Sequence, residues 1–78
     1  MTHQGRIVLF ILNEMEKHAV SLRNLADMTG VSTSFLSRFL REERGIPNDE
    51  ILVKIGVALN IMPPTAMLLI AGRIPERW

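Results

Sequence analysis

Apolar residues recur along the chain at the three- and four-residue spacing of an α-helix, and no stretch sustains the alternation of apolar and polar residues typical of a β-strand. The first helical pattern covers residues 6–17, where Ile7, Ile11 and Met15 form one apolar stripe. Residues 1–5 precede this pattern and end in a glycine, which predicts a flexible N-terminal tail.

A second and a third helix are predicted with almost no sequence between them. Ser21 is a favourable N-cap for a helix over residues 22–29, and Gly30 is suited to end that helix. A single residue then separates Gly30 from Ser32, the predicted N-cap of a helix over residues 33–42. Two helices joined by so short a turn cross at a steep angle, which is the geometry of a helix-turn-helix.

The third helix has two chemically different sides. Phe35, Leu36 and Phe39 form an apolar wedge on one side. The other side carries short hydroxyls and two arginines but no acid, namely Thr33, Ser34, Ser37, Arg38 and Arg41. Such a surface suits the major groove of DNA, where arginine reads guanine and hydroxyls reach bases or phosphates. The alternative is an ordinary solvated face that binds nothing.

Two more helices complete the pattern. A loop with Gly45 and Pro47 leads to a fourth helix over residues 49–59, whose acidic first turn suits the helix dipole. Asn60 is its predicted C-cap. Pro64 begins a fifth helix that runs to residue 71, because proline is well tolerated at the first helical position.

Composition places the chain among small globular proteins. It has 78 residues, of which 47% are hydrophobic and 22% charged, and it contains no cysteine. We expect one domain over residues 6–72, followed by a short apolar tail over residues 73–78. No apolar run approaches the roughly 18 residues of a membrane span. No secretory signal pattern is present either, so we expect a cytoplasmic protein.

Residue types that perform catalysis or bind metals are not arranged for either task. His3 and His18 are isolated histidines without metal-ligand or catalytic spacing. The acidic residues show no pairing suited to general acid–base work, and the sequence places no base near the serines. We therefore expect neither an enzyme nor a cofactor.

Several short motifs stand around the predicted turn. They read Ser-Leu-Arg-Asn-Leu-Ala at residues 21–26, Thr-Gly-Val-Ser at residues 29–32 and Phe-Leu-Ser-Arg at residues 35–38. With the downstream segments 55–61 and 68–75, they make the chain resemble the lambda-repressor-like DNA-binding domains, the Cro and XRE-type family. The resemblance implies an all-α fold of five helices with the helix-turn-helix formed by helices 2 and 3. Double-stranded DNA is the implied partner.

Matched positions carry implied roles. Ala26 is the small residue where the two helices cross, and Gly30 is the turn glycine. The positions that face the DNA groove are Ser32, Thr33, Ser34, Ser37, Arg38 and Arg41. Arg44 and Asn48 match a loop and a helix start that often touch phosphate.

Two departures from the family pattern weaken the expected DNA contacts. Leu22 stands where many members have a glutamine that bonds to DNA. Glu42 and Glu43 place two negative charges near the phosphates, which should weaken binding. The third helix ends differently from most members as well, so we expect it to run longer.

The C-terminal third is more apolar than one short helix can bury. The residues predicted to form a dimer interface are Val57, Met62, Met67, Ile70, Ile74 and Trp78. Packing within the core is the alternative for each of them. A homodimer would hold two recognition helices about 34 Å apart and read a palindromic site one helical turn long. This arrangement predicts a transcriptional repressor acting at promoter DNA.

A second hypothesis is a protein-interaction module, resembling an antitoxin or the partner of an anti-repressor, that keeps the helix-turn-helix as a scaffold. A net charge of only +1, together with Leu22, Glu42 and Glu43, favours this hypothesis. A regulatory protein partner also remains an option for the repressor. Salt separates the two functions, because phosphate binding weakens steeply with added salt and an apolar interface does not.

Overall fold

The computed structural model describes residues 2–73, which contain five α-helices and, within that range, no β-strand. The helices are α1 His3–Lys17, α2 Leu22–Thr29, α3 Thr33–Leu40, α4 Asp49–Ala58 and α5 Ala66–Ile70. The predicted all-α, five-helix architecture is confirmed. None of these helices is both long and apolar enough to cross a membrane.

Helix α1 begins three residues earlier than the apolar stripe predicted. The hydroxyl of Thr2 caps it by accepting a hydrogen bond from the backbone N–H of Gly5 at 2.9 Å. The side chain of Gln4 then donates to the backbone carbonyl of Arg44. The prediction of a flexible tail is therefore wrong for residues 3–5. A polar N-cap and a hydrogen bond to a residue 40 positions away hold the first turn of α1. Neither interaction involves an apolar side chain, so the apolar pattern did not predict this turn.

Helix α3 ends at Leu40, so the prediction of a longer helix to residue 42 is wrong. Glu42 adopts a left-handed φ of 59°. The N–H groups of Glu42 and Glu43 bond back to the carbonyls of Phe39 at 2.9 Å and Arg38 at 2.8 Å. This is the hydrogen-bond pattern of a Schellman motif, which usually has glycine at the left-handed position. Because this position holds a glutamate and not a glycine, no residue in the sequence marked the end of the helix.

Helix α5 is shorter than predicted and does not begin at Pro64. The N–H groups of Ala66 and Met67 bond to the carbonyls of Pro63 and Pro64, each three residues back. That spacing belongs to tight turns, so residues 63–65 form a turned segment that leads into the five-residue helix. Gly72 follows the helix with a φ of 77°, the left-handed conformation in which glycine commonly ends a helix.

One hydrophobic core joins the five helices, and α2 packs on both α3 and α4 while α1 and α4 each pack on α5. The side chains with no exposed surface are Ile7, Ile11, Leu25, Leu36, Phe39, Leu52, Ile55, Leu59 and Met67. The stripe predicted on the first helix and the wedge predicted on the third both point into this core.

Met67 belongs to the core rather than to an interface, and its assignment to a dimer contact is wrong. Its side chain has no exposed surface, so a partner could reach it only after the domain opened. It lies against Gly56, where an added Cβ would come within 2.8 Å of Met67 Cγ. The absence of a side chain at Gly56 is thus what lets α4 and the segment around α5 approach so closely.

The loop between α3 and α4 is tied down from two sides. Arg73 donates to the Asp49 carboxylate and to the backbone carbonyl of Pro47 at 2.9 Å. Gln4 donates to the carbonyl of Arg44 in the same loop. Residues from α1 and from beyond α5 therefore fix a segment that has no regular structure of its own.

The close approach at Gly56 generates a stability prediction. Glycine to alanine in a helix interior normally stabilises by ~0.5–1 kcal/mol. Gly56→Ala should instead lower the free energy of unfolding by about 1–2 kcal/mol, because the Pro64 carbonyl, 3.0 Å from the added Cβ, belongs to the backbone. Urea denaturation followed by circular dichroism measures the change.

Gly45→Ala is the matched control, since nothing lies within 4 Å of a Cβ added at that position. Its free energy of unfolding should stay within about 0.5 kcal/mol of the wild type. A Gly56→Ala variant as stable as the wild type would show that α4 and the α5 segment have room to separate.

Candidate nucleic-acid interface

The turn between α2 and α3 is built from local hydrogen bonds. Gly30 adopts a φ of 72°, and its N–H bonds to the carbonyl of Ala26 at 2.9 Å. The buried hydroxyl of Thr29 donates to the carbonyl of Leu25 at 2.8 Å. Ser32 then caps α3 by accepting from the N–H of Phe35 at 3.1 Å. These bonds shape the turn that brings α3 against α2, and the side chain of Ala26 on α2 is buried.

Burial of one side of α3 decides which side faces solvent. Leu36 and Phe39 have no exposed surface, so the opposite side of the helix is held outward. The outward side chains line one open cavity of about 350 Å³, formed by Leu22, Thr33, Ser34, Ser37, Arg38 and Arg41. Five of the eight residues predicted to bind DNA therefore share one concave surface.

The remaining predicted residues lie outside this cavity and have structural roles. Ser32 is the N-cap of α3, and Asn48 caps α4 by accepting from the N–H of Ile51 at 2.9 Å. The guanidinium of Arg44 lies over the ring of Phe35, 3.9 Å from its centroid. This stacking holds an exposed cation beside α3, and a cation over an aromatic face is a favourable contact.

The two arginines in the cavity differ in their surroundings. Arg41 Nε lies 3.4 Å from Glu43 Oε2, and both side chains are more than half exposed. Arg38 is exposed, and among residues 2–73 its guanidinium takes part in no ion pair. Arg38 is therefore ready to bind an external acceptor, whereas Glu43 partly offsets the charge of Arg41.

Sequence reasoning missed the place of Leu22. It identified this leucine only as a missing DNA contact, but the side chain is half-buried and forms part of the cavity wall. The signal was its position in the α2 stripe, three and four residues before the buried Leu25 and Ala26.

A family model described as helix-turn-helix matches residues 11–65. The chain belongs to this helix-turn-helix family. The match contains all of α2, the turn and α3, and the family is of the XRE and lambda-repressor-like type. No curated protein and no solved structure gives a significant match.

Family membership makes the chain a DNA-binding helix-turn-helix regulator, and such regulators are typically not enzymes. Within residues 2–73 no three histidines or acids come together in a way that could hold a metal ion. The lining of the cavity carries hydroxyls, guanidinium groups and the apolar side chain of Leu22.

The pairing of Arg41 with Glu43 predicts that the acid restrains DNA binding. Glu43→Gln removes one negative charge beside the cavity and releases Arg41 from its pair. We expect duplex affinity to rise about threefold or more at ~50 mM salt and the gain to shrink at ~200 mM salt. Fluorescence anisotropy with a labelled duplex measures both values.

Glu16→Gln changes the net charge equally at an exposed position of α1 that does not line the cavity. Its effect should be smaller than that of Glu43→Gln. Equal gains from the two variants would mean that overall charge, and not the Arg41 pair, controls affinity.

Proposed function

We propose that this protein is a cytoplasmic transcriptional repressor that binds a palindromic operator as a homodimer, with α3 inserted into the major groove. The observation that carries this proposal is the cavity on the outward side of α3. Its lining offers hydroxyls and two arginines and contains no carboxylate.

The chemistry of the cavity supports specific roles for its residues. The major groove is about 12 Å wide and admits an α-helix, and arginine recognises the two acceptors of guanine bidentately. Arg38 takes this role, because no acid within residues 2–73 holds its guanidinium. Thr33, Ser34 and Ser37 carry short hydroxyls that reach bases or phosphates. Arg41 adds a second guanidinium, whose charge Glu43 partly offsets.

Phosphate contacts come from the flanks of the cavity in this proposal. Ser32 stands at the N-terminus of α3 and Asn48 at the N-terminus of α4, where helix dipoles favour negative groups. Arg44 supplies a cation that Phe35 holds in place. Contacts of this kind position a protein on the duplex without reading its sequence.

Exposed apolar side chains support the homodimer. Met62 is 85% exposed and Val57 is 59% exposed, and Ile70 is half-buried. Burial of these side chains between two subunits would remove apolar surface from water. Ile74 and Trp78, which complete the predicted interface, lie outside the described residues. A dimer would also double the number of phosphate contacts.

Selection of duplexes tests the proposal. The purified protein is titrated against random-sequence duplexes at ~50 and ~200 mM salt, and the bound fraction is sequenced. A short palindrome with steep salt dependence is the expected result, and its half-site spacing gives the distance between recognition helices. A non-palindromic site would contradict the homodimer, and salt-independent binding would contradict the phosphate contacts.

Arg38→Ala provides a residue-level prediction. Loss of a bidentate contact to guanine should cost ~1–3 kcal/mol of specific binding and relax sequence preference at one position. Anisotropy titrations on the selected site measure the loss. Arg6→Ala is the control, since Arg6 is also an exposed arginine and lies on α1 outside the cavity. Equal losses from both variants would remove Arg38 from the base-reading residues.

A protein-interaction module is the second candidate function, and one observation favours it. Met28, Val53, Val57 and Ala58 line part of a second, largely apolar cavity of about 790 Å³ between α2 and α4. A partner seated there would bind through apolar contacts and tolerate high salt. Absence of duplex binding at ~50 mM salt would favour this candidate over the repressor.

A further inference from the structure

The apolar stripe of α2 runs from the core into the DNA-facing cavity. Leu25, Ala26 and Thr29 lie on one side of this helix and are buried. Leu22 continues the same stripe by one turn towards the N-terminus, where it is half-buried. It packs against the core cluster and also lines the cavity. The N-terminal end of the stripe, at Leu22, is therefore partly exposed next to the polar side of α3.

Leu22 is chemically distinct from its neighbours in the cavity. Each of the other five lining residues carries a hydroxyl or a guanidinium, so Leu22 is the one wholly apolar side chain among the six. When another apolar group covers the exposed part of an apolar side chain, the free energy of the system falls. A polar base edge pressed against Leu22 would instead lose its hydrogen bonds to water.

The major groove offers one apolar group that depends on sequence. Thymine displays its C5-methyl group there, and cytosine, adenine and guanine display only hydrogen-bonding atoms and C–H edges. The deoxyribose carbons are the other apolar surface of a duplex, but they are the same at every position. Leu22 shares its cavity with Arg38 and Ser37, on the side of α3 assigned to the bases, which favours the methyl group.

We propose that Leu22 is a specificity-determining residue that contacts the C5-methyl group of one thymine in each half-site. This inference rests on the proposed insertion of α3 into the major groove. The arginines supply affinity and recognise guanine, whereas Leu22 distinguishes thymine from cytosine by apolar contact alone. It thereby replaces the polar contact that the resemblance implies for a glutamine at this position.

Replacement of thymine by deoxyuridine tests the contact, because it removes the methyl group and leaves base pairing intact. Each thymine of the selected duplex is replaced in turn, and affinity is measured by anisotropy. One position per half-site should lose about fourfold, the ratio expected for burial of one methyl-sized group. With Leu22→Gln the same replacement should change affinity by less than about 1.5-fold.

A reciprocal measurement supplies the methyl group on another base. Cytosine at the sensitive position should bind more weakly than 5-methylcytosine by about the same fourfold with the wild type. Leu22→Gln should remove this difference. Thermal unfolding checks that the variant is folded, and Leu22→Ala serves in its place if glutamine prevents folding.

Two further variants test whether the methyl effect belongs to Leu22 and to no other side chain. Leu9→Gln replaces a leucine that is 48% exposed on α1, outside the cavity, and should keep the full methyl effect. Thr33→Ser removes the only other methyl group of the cavity lining and keeps its hydroxyl, and it should keep the effect as well.

The outcomes distinguish this inference from the proposed function. Sequence-specific, salt-dependent binding without any methyl-sensitive thymine would overturn the role of Leu22 and leave the repressor proposal intact. A methyl effect that survives Leu22→Gln, or that Thr33→Ser abolishes, would assign the contact to another residue. Absence of duplex binding would overturn both proposals.

Discussion

Burial of Leu36 and Phe39 beneath α3 is the interaction on which the interface depends. Neither side chain has any exposed surface, so burial of the apolar wedge fixes the rotation of α3 about its own axis. That rotation turns its arginines and hydroxyls outward into one cavity. A helix of eight residues is too short to be stable alone in water, so its packing also decides whether it exists.

Hydrogen bonds hold the segments between helices. Left-handed residues close α1, α3 and α4 at Ala19, Glu42 and Asn60, and each is followed by a backbone bond to the preceding turn. Arg73 and Gln4 then tie the α3–α4 loop to distant parts of the chain. The loop that carries Arg44 and Asn48 is thereby positioned by residues that do not themselves face the cavity.

Charge is distributed so that the interface is cationic although the chain is nearly neutral. The cavity contains two arginines and no acid, and a third arginine is stacked on Phe35 beside it. Glu43 partly offsets this by pairing with Arg41. A net charge of +1 gives little long-range attraction to DNA, so binding must rely on contacts at short range. Apolar contact through Leu22 fits such an interface.

The sequence alone determined the helices, the turn and the polar side of α3, because caps and apolar periodicity act within a few residues. The roles of Ser21, Ser32 and Gly30 followed from this local chemistry and are present in the structure. The end of α3 was missed for a local reason, because Glu42 occupies the left-handed position where glycine is usual.

Tertiary structure alone decided that Met67 is buried rather than at an interface, and it ties the first turn of α1 to the α3–α4 loop. It also placed Leu22 in the cavity wall. These features depend on contacts between residues far apart in the chain, such as Gln4 with Arg44 and Met67 with Gly56. Such contacts form only when the helices pack, so the apolar periodicity within one helix does not predict them.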